Sequence, residues 1–141
     1  VVYKSIVSNC AIKMQKTCSK ILPYTKWIPF RLSPNERSYL AMAEGFAGIL
    51  YPPSCFSNFH SDEYLNGIFE CKYDDDLYLK VQGIRNKIPV TQTNFRLGYQ
   101  ETDNIREMMQ YNLHENQNKG NTNRDNLCYK FETDLLKAWN L

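Results

Sequence analysis

The stretch "SPNERSYLAMAEGFAGILYPP", residues 33 to 53, limits the folding of this chain more than any other. Ser33 offers an N-cap, Pro34 suits a first helical position, and Glu36 closes a capping box. Tyr39, Ala43, Phe46, Ala47 and Leu50 then recur at helical spacing, and Pro52-Pro53 ends the run. The pattern predicts a helix over 34–50. Gly45 and Gly48 inside it each cost about 1 kcal/mol relative to alanine, so close packing against another backbone is expected there.

The rest of the chain reads as one domain over 1–141. At 141 residues, 43% apolar and 13% aromatic, it can bury a modest core. Ile6, Cys10, Met14, Cys18 and Leu22 stand four apart and predict a first helix over 4–22. "TKWIPFRL" reads as a short strand held to an edge by Pro29. Residues 54–100 offer short strands or loops, with the three aspartates at 74–76 as a solvated turn. Asp103 caps a third predicted helix bearing Ile105, Met108, Met109 and Leu113. The Asn-rich stretch 116–126 reads as an exposed polar loop. A last helix carries Cys128, Phe131, Leu135 and Trp139 on one face.

Composition excludes more than it selects. With 17 basic and 15 acidic residues, the net charge of +2 forms no block that nucleic acid would select. No apolar run is long enough to span a membrane. Cys10, Cys18, Cys55, Cys71 and Cys128 lack the paired spacing of a zinc site; their number fits an oxidising compartment, with up to two disulfides and a secreted, lumenal or organellar location. The opening on Val1 and an unfinished amphipathic pattern at the C-terminus suggest a piece of a longer polypeptide. His60, Asp62 and Glu63 read as a solvated loop rather than a metal site. No metal or other cofactor is expected.

Arg37 carries the functional signal. A cation in the first turn of a helix opposes the macrodipole, and Arg31 precedes the same helix start. Two guanidinium forks and free backbone N–H groups at one corner match the oxygens of a phosphate. The plainer alternative pairs Arg37 with Glu36 or Glu44 on the surface.

"FRLSPNERSYLAMAEGFAGILYPP" resembles the segment of histidine acid phosphatases in which Arg-Ser-Thr-Asp leads into an Asp-Arg-Thr helix start and a small-residue helix ending in Phe/Tyr-Pro-Pro. "IPVTQT" at 88–93 is similar to that family's Ile-Pro-Val-His-Thr, and "NLCYKFETDLL" at 126–136 to its Asn-Cys-Pro-x-Phe segment. The resemblance runs from about residue 26 to 141. It implies an α/β architecture, of which this chain would be an incomplete, mainly helical part with about four helices and few short strands. It also implies that Arg37 holds the phosphate of a phosphate monoester and that Arg31 supports it. The chain lacks the family's Arg-His-Gly and His-Asp motifs, and Gln92 stands where Ile-Pro-Val-His-Thr has histidine. Catalytic residues are therefore expected outside this chain, in the remainder of a longer protein. A catalytically inactive relative, serving as a structural or interaction subunit beside a protein partner, is the alternative.

Overall fold

Strands and helices share the molecule. The computed structural model describes residues 4–53, 55–56, 58–71, 74–94 and 121–141. The predicted helix at Asp103–Leu113, His114 and residues 116–120 of the predicted loop lie outside the described residues.

The segment expected to form the first helix makes two strands instead, β1 (Ile6–Ser8) and β2 (Ala11–Lys13). A spacing of four is also a multiple of two, and extended backbone turns alternate side chains to one face. Ile6, Ser8, Cys10, Ile12 and Met14 are accordingly all buried, while β-branched Ile6, Val7 and Ile12 favour the extended form. The Ser8 hydroxyl fixes the corner between the strands, donating to the Cys10 carbonyl (2.7 Å) and accepting from the Cys10 amide (3.2 Å).

The helix expected over 34–50 is likewise absent. Ser33–Glu36 is a tight turn closed by the Glu36 amide on the Ser33 carbonyl (3.0 Å), with Asn35 at φ +62. Proline followed by a left-handed asparagine is turn chemistry as well as helix-start chemistry. One arm of the expected capping box does form, since the Glu36 carboxylate accepts the Ser33 amide at 2.8 Å. The chain then runs through β3 (Arg37–Ser38), β4 (Ala41–Ala43), a 3₁₀ turn at Gly45–Ala47 and β5 (Ile49–Leu50). The segment expected to be the strand "TKWIPFRL" begins inside another 3₁₀ turn, Tyr24–Lys26, and of its residues Arg31 bridges to Ile12.

Residues 62–70 and 75–85, expected to be strand or loop, are helices. In α1 (Asp62–Glu70), Ser61 caps the Tyr64 amide at 3.2 Å. The three aspartates form no solvated turn: Asp74 precedes α2 (Asp75–Arg85), with Asp75 and Asp76 in its first turn, where carboxylates complement the helix dipole. Strand β6 (Val90–Gln92) follows. The predicted last helix is broken near Phe131 into α3 (Thr122–Lys130) and α4 (Glu132–Leu136), and α3 begins inside the stretch read as loop.

The larger sheet has the order β3-β6-β1-β5, with β1 parallel to β6 and the other pairs antiparallel. Strands β2 and β4 form a second, two-stranded sheet. Gln92 joins the two: its amide accepts from the Ala11 N–H (3.0 Å) and donates to the Asn9 carbonyl (2.9 Å). One core gathers Ile6, Ala41 and Val90 of the strands with Leu32. The other gathers Trp27, Leu77, Tyr78, Val81, Cys128 and Leu135, with Phe131 and Trp139 packed against it. Gly67 lets α1 meet α2, because a Cβ there would run into the Tyr78 ring.

Candidate functional site

The two arginines singled out in the sequence are both exposed, and the fold does not bring them together. Arg37 lies on β3 opposite Thr91 of β6 and donates to the Lys4 carbonyl at 3.4 Å, ahead of β1. Arg31 donates to the Cys10 Sγ at 2.9 Å, beyond the other end of β1. At about 3.3 Å per extended residue, Lys4 and Ser8 alone are roughly 13 Å apart. Neither arginine stands at a helix N-terminus, so the dipole conflict that first marked Arg37 disappears.

Around Arg37 the sheet edge is polar. The Ser5 and Thr91 hydroxyls are 2.6 Å apart, and Ser5 also donates to the Pro89 carbonyl at 3.1 Å. Two segments more than fifty residues apart, "SPNER" and "IPVTQT", thus meet as neighbouring strands. The Asn35 amide donates to the Gln92 carbonyl (3.0 Å), and the Gln92 amide to the Glu36 carbonyl (2.9 Å). Gln92 itself is buried with its side chain committed to the β1–β2 corner.

Arg31 belongs to a different neighbourhood. Cys10 accepts from Arg31 and donates to the Glu44 Oε2 at 3.1 Å, while the Tyr24 hydroxyl donates to the other Glu44 oxygen. Burial, then the Glu44 carboxylate, pushes the Cys10 thiol up to about 11. The same two causes raise the Tyr24 phenol. Over the Tyr24 ring, 4.3 Å from its centroid, lies the Arg124 guanidinium, whose Nε is 2.5 Å from the Asp74 Oδ2. Burial works against the Arg124 charge, yet the hydrogen bond to Asp74 and that carboxylate's field raise its pKa on balance. Asp74 is fully enclosed, and its Oδ1 has no hydrogen-bond partner among the described residues. Beside it the Asp76 carboxylate accepts the Gly45 amide at 2.9 Å; burial raises that group to about 6 against the amide's opposite pull. A Cβ on Gly45 would sit 2.7 Å from Asp76 Oδ1, which is the close approach the glycine permits.

Of this second cluster the sequence singles out only Arg31; its other members come from residues 10, 24, 44, 74, 76 and 124, and the signal that could lead to them is the aspartate run, whose hydrophilicity suggests a surface turn. Shifted groups gathered in one place mark either a reactive site or a structural ion network. Here Cys10 and Tyr24 share the Glu44 carboxylate, and Arg124 is held between the Tyr24 ring and Asp74.

The five cysteines are free thiols, so the expected disulfides do not form; Cys10, Cys55, Cys71 and Cys128 are buried, and Cys18 is exposed. His60 is exposed, with its ring 3.7 Å from that of Phe59, and no metal-binding group of His, Cys, Asp or Glu occurs among the described residues. Among the described residues no helix is long and apolar enough to cross a membrane. Searches against protein families, curated proteins and solved structures find no match to this chain.

Proposed function

We propose that this chain is the phosphate-binding part of a histidine acid phosphatase-like protein, with catalytic histidines outside these 141 residues. The supporting observation is the pairing of β3 with β6. It joins two of the three segments that resemble the family and leaves Arg37 exposed beside Thr91, near Ser5. A guanidinium with hydroxyls close by provides fixed donors for a phosphate dianion. Arg37 is the principal contact. Arg31, tied to Cys10, supports the fold near the β1–β2 corner rather than the same phosphate.

Thermal unfolding in the presence of inorganic phosphate tests this reading. A ligand at about 100 times its dissociation constant adds roughly 2.7 kcal/mol. Phosphate should raise the Tm of the wild-type chain, and Arg37→Ala should lose that protection while its Tm without phosphate stays the same. Equal protection of both proteins would remove Arg37 from the site. Absence of protection in either would favour the second reading, an interaction subunit. That reading is supported by α1, which leaves Leu65 and Phe69, four residues apart, on its solvent face.

A further inference from the structure

Lys80 is the most enclosed cation in the described residues. It is 4% exposed, in the middle of α2, and among the described residues no carboxylate forms an ion pair with it. Burying an ammonium group is costly unless something holds it. The Tyr39 carbonyl does so, accepting from the Lys80 Nζ across the gap between α2 and the β3–β4 link. Tyr39 lies two residues after Arg37, so this bond joins the interior of the helix to the segment that presents the arginine.

We propose that Lys80 is a proton-sensitive tether for the β3–β4 link, tightening the Arg37 edge when protonated and loosening it when neutral. A charged donor makes a hydrogen bond roughly twice as strong as a neutral one, so loss of the proton to solvent weakens the hold on Tyr39 without breaking a covalent bond. Burial brings the Lys80 amine down to about 7, so both states are populated near neutrality. The pocket beside it has about 10 Å³, the space of roughly one water molecule.

Among the described residues, strands β1, β4 and β6 contribute Ile6, Ala43 and Val90 to that pocket, all apolar, and the ionisable groups lining it with Lys80 are Asp76, one turn earlier on α2, and Tyr51, just after β5. Tyr51 is raised by burial and by Asp76 and Asp75, and so stays neutral through this range. Asp76 titrates near 6 and must be separated from Lys80 by experiment. Tyr39 has a second attachment, its hydroxyl donating to the Lys87 carbonyl at 3.5 Å, which keeps the link in place when the tether slackens.

The consequence for ligand binding rests on the phosphate reading above; the tether does not. The test is a pH titration of the backbone amide signals of Ser38, Leu40 and Gly45 by NMR, from pH 5 to 9, with sulfate as the probe anion because its charge is constant over that range. Wild-type Ser38 and Leu40 should move with a midpoint near 7. The same signals should be flat in Lys80→Met and should still titrate in Asp76→Asn, while Gly45 loses its own titration near 6. Sulfate should bind at least threefold more weakly at pH 8 than at pH 6, and Lys80→Met should abolish that difference. A flat wild-type profile at Ser38 and Leu40, or an identical midpoint in Lys80→Met, overturns the tether. Titration of those amides with no sulfate binding at any pH upholds the tether and removes the phosphate site.

Discussion

The edge around Ser33–Ser38 and the interior around Asp74–Asp76 are equally rich in charge but treat it in opposite ways. At the edge, Lys13 pairs with Glu36 while both side chains remain about one-third exposed, and Arg37 is exposed where it donates to the Lys4 carbonyl. In the interior, Asp74 is fully enclosed, Arg124 is 17% exposed, and the two are committed to each other across fifty residues of sequence. An exposed charge is stabilised by water whatever its neighbour does; an enclosed one depends on its partner. The interior cluster therefore holds the fold together, and the edge is where a ligand can exchange with solvent at little structural cost.

The largest effect should come from breaking the interior pair. Asp74→Ala leaves the Arg124 guanidinium buried over the Tyr24 ring without its carboxylate, which costs about 3–5 kcal/mol. For a domain whose whole stability is of the order of 5–15 kcal/mol, that approaches unfolding. Urea denaturation would measure the loss, which should barely respond to added salt. Adding Arg124→Met in the same chain should restore much of it. A loss below 1 kcal/mol would mean that the interior charges are as solvated as those at the edge.

Asp76 sharpens the same contrast through pH. Its folded pKa is raised to about 6, so its contribution to stability is complete below the ordinary aspartate value near 4 and is lost as pH rises through 6. Asp76→Asn keeps an acceptor for the Gly45 amide and removes the titration. Relative to wild type, the variant should gain about 1–2 kcal/mol between pH 4.5 and 7, a figure reduced for the partial exposure of the group. Lys80 shifts the other way: its contribution is present above the ordinary lysine value and lost as pH falls towards 7, so the two windows do not overlap. A stability difference independent of pH would show that Asp76 is not desolvated.

These two regions also show what was legible in the sequence. Both carry helix-start residues. At Ser33 only half of the predicted capping box forms, the Glu36 carboxylate accepting the Ser33 amide; Pro34-Asn35 serves a β-turn equally well, and pairing with β6 decided between them. At 74–76, hydrophilicity suggested solvent, although Leu77, Tyr78, Val81 and Ile84 behind it carry helical spacing and form the buried face of α2. Period four misled at the N-terminus for a related reason, since it suits both a helix and an alternating strand. The inward face of Cys128, Phe131, Leu135 and Trp139 was legible because one compatible period covered it, even across the break near Phe131. The Cys10–Glu44–Tyr24 and Asp74–Arg124 contacts were not, because they join distant segments and leave no local spacing.

The smallest effect should be at the edge, where Glu36→Gln removes the charge but leaves an oxygen for the Ser33 amide. In the wild type, the Lys13 hydrogen bond and then the Ser33 amide hold the Glu36 carboxyl below its ordinary range. Its contribution is therefore present above pH 4.5 and lost as pH falls below that value. Because both partners of the ion pair are solvated, the cost at pH 7 should stay below about 1 kcal/mol and shrink with added salt. Amide signals of Arg37 and Thr91 should show β3 still paired with β6, since that pairing is made by backbone groups and not by the charge. A loss as large as that of Asp74→Ala would mean that Glu36 is locked into the fold. The edge would then be part of the scaffold, and Arg37 could not take up a ligand there without disturbing β6.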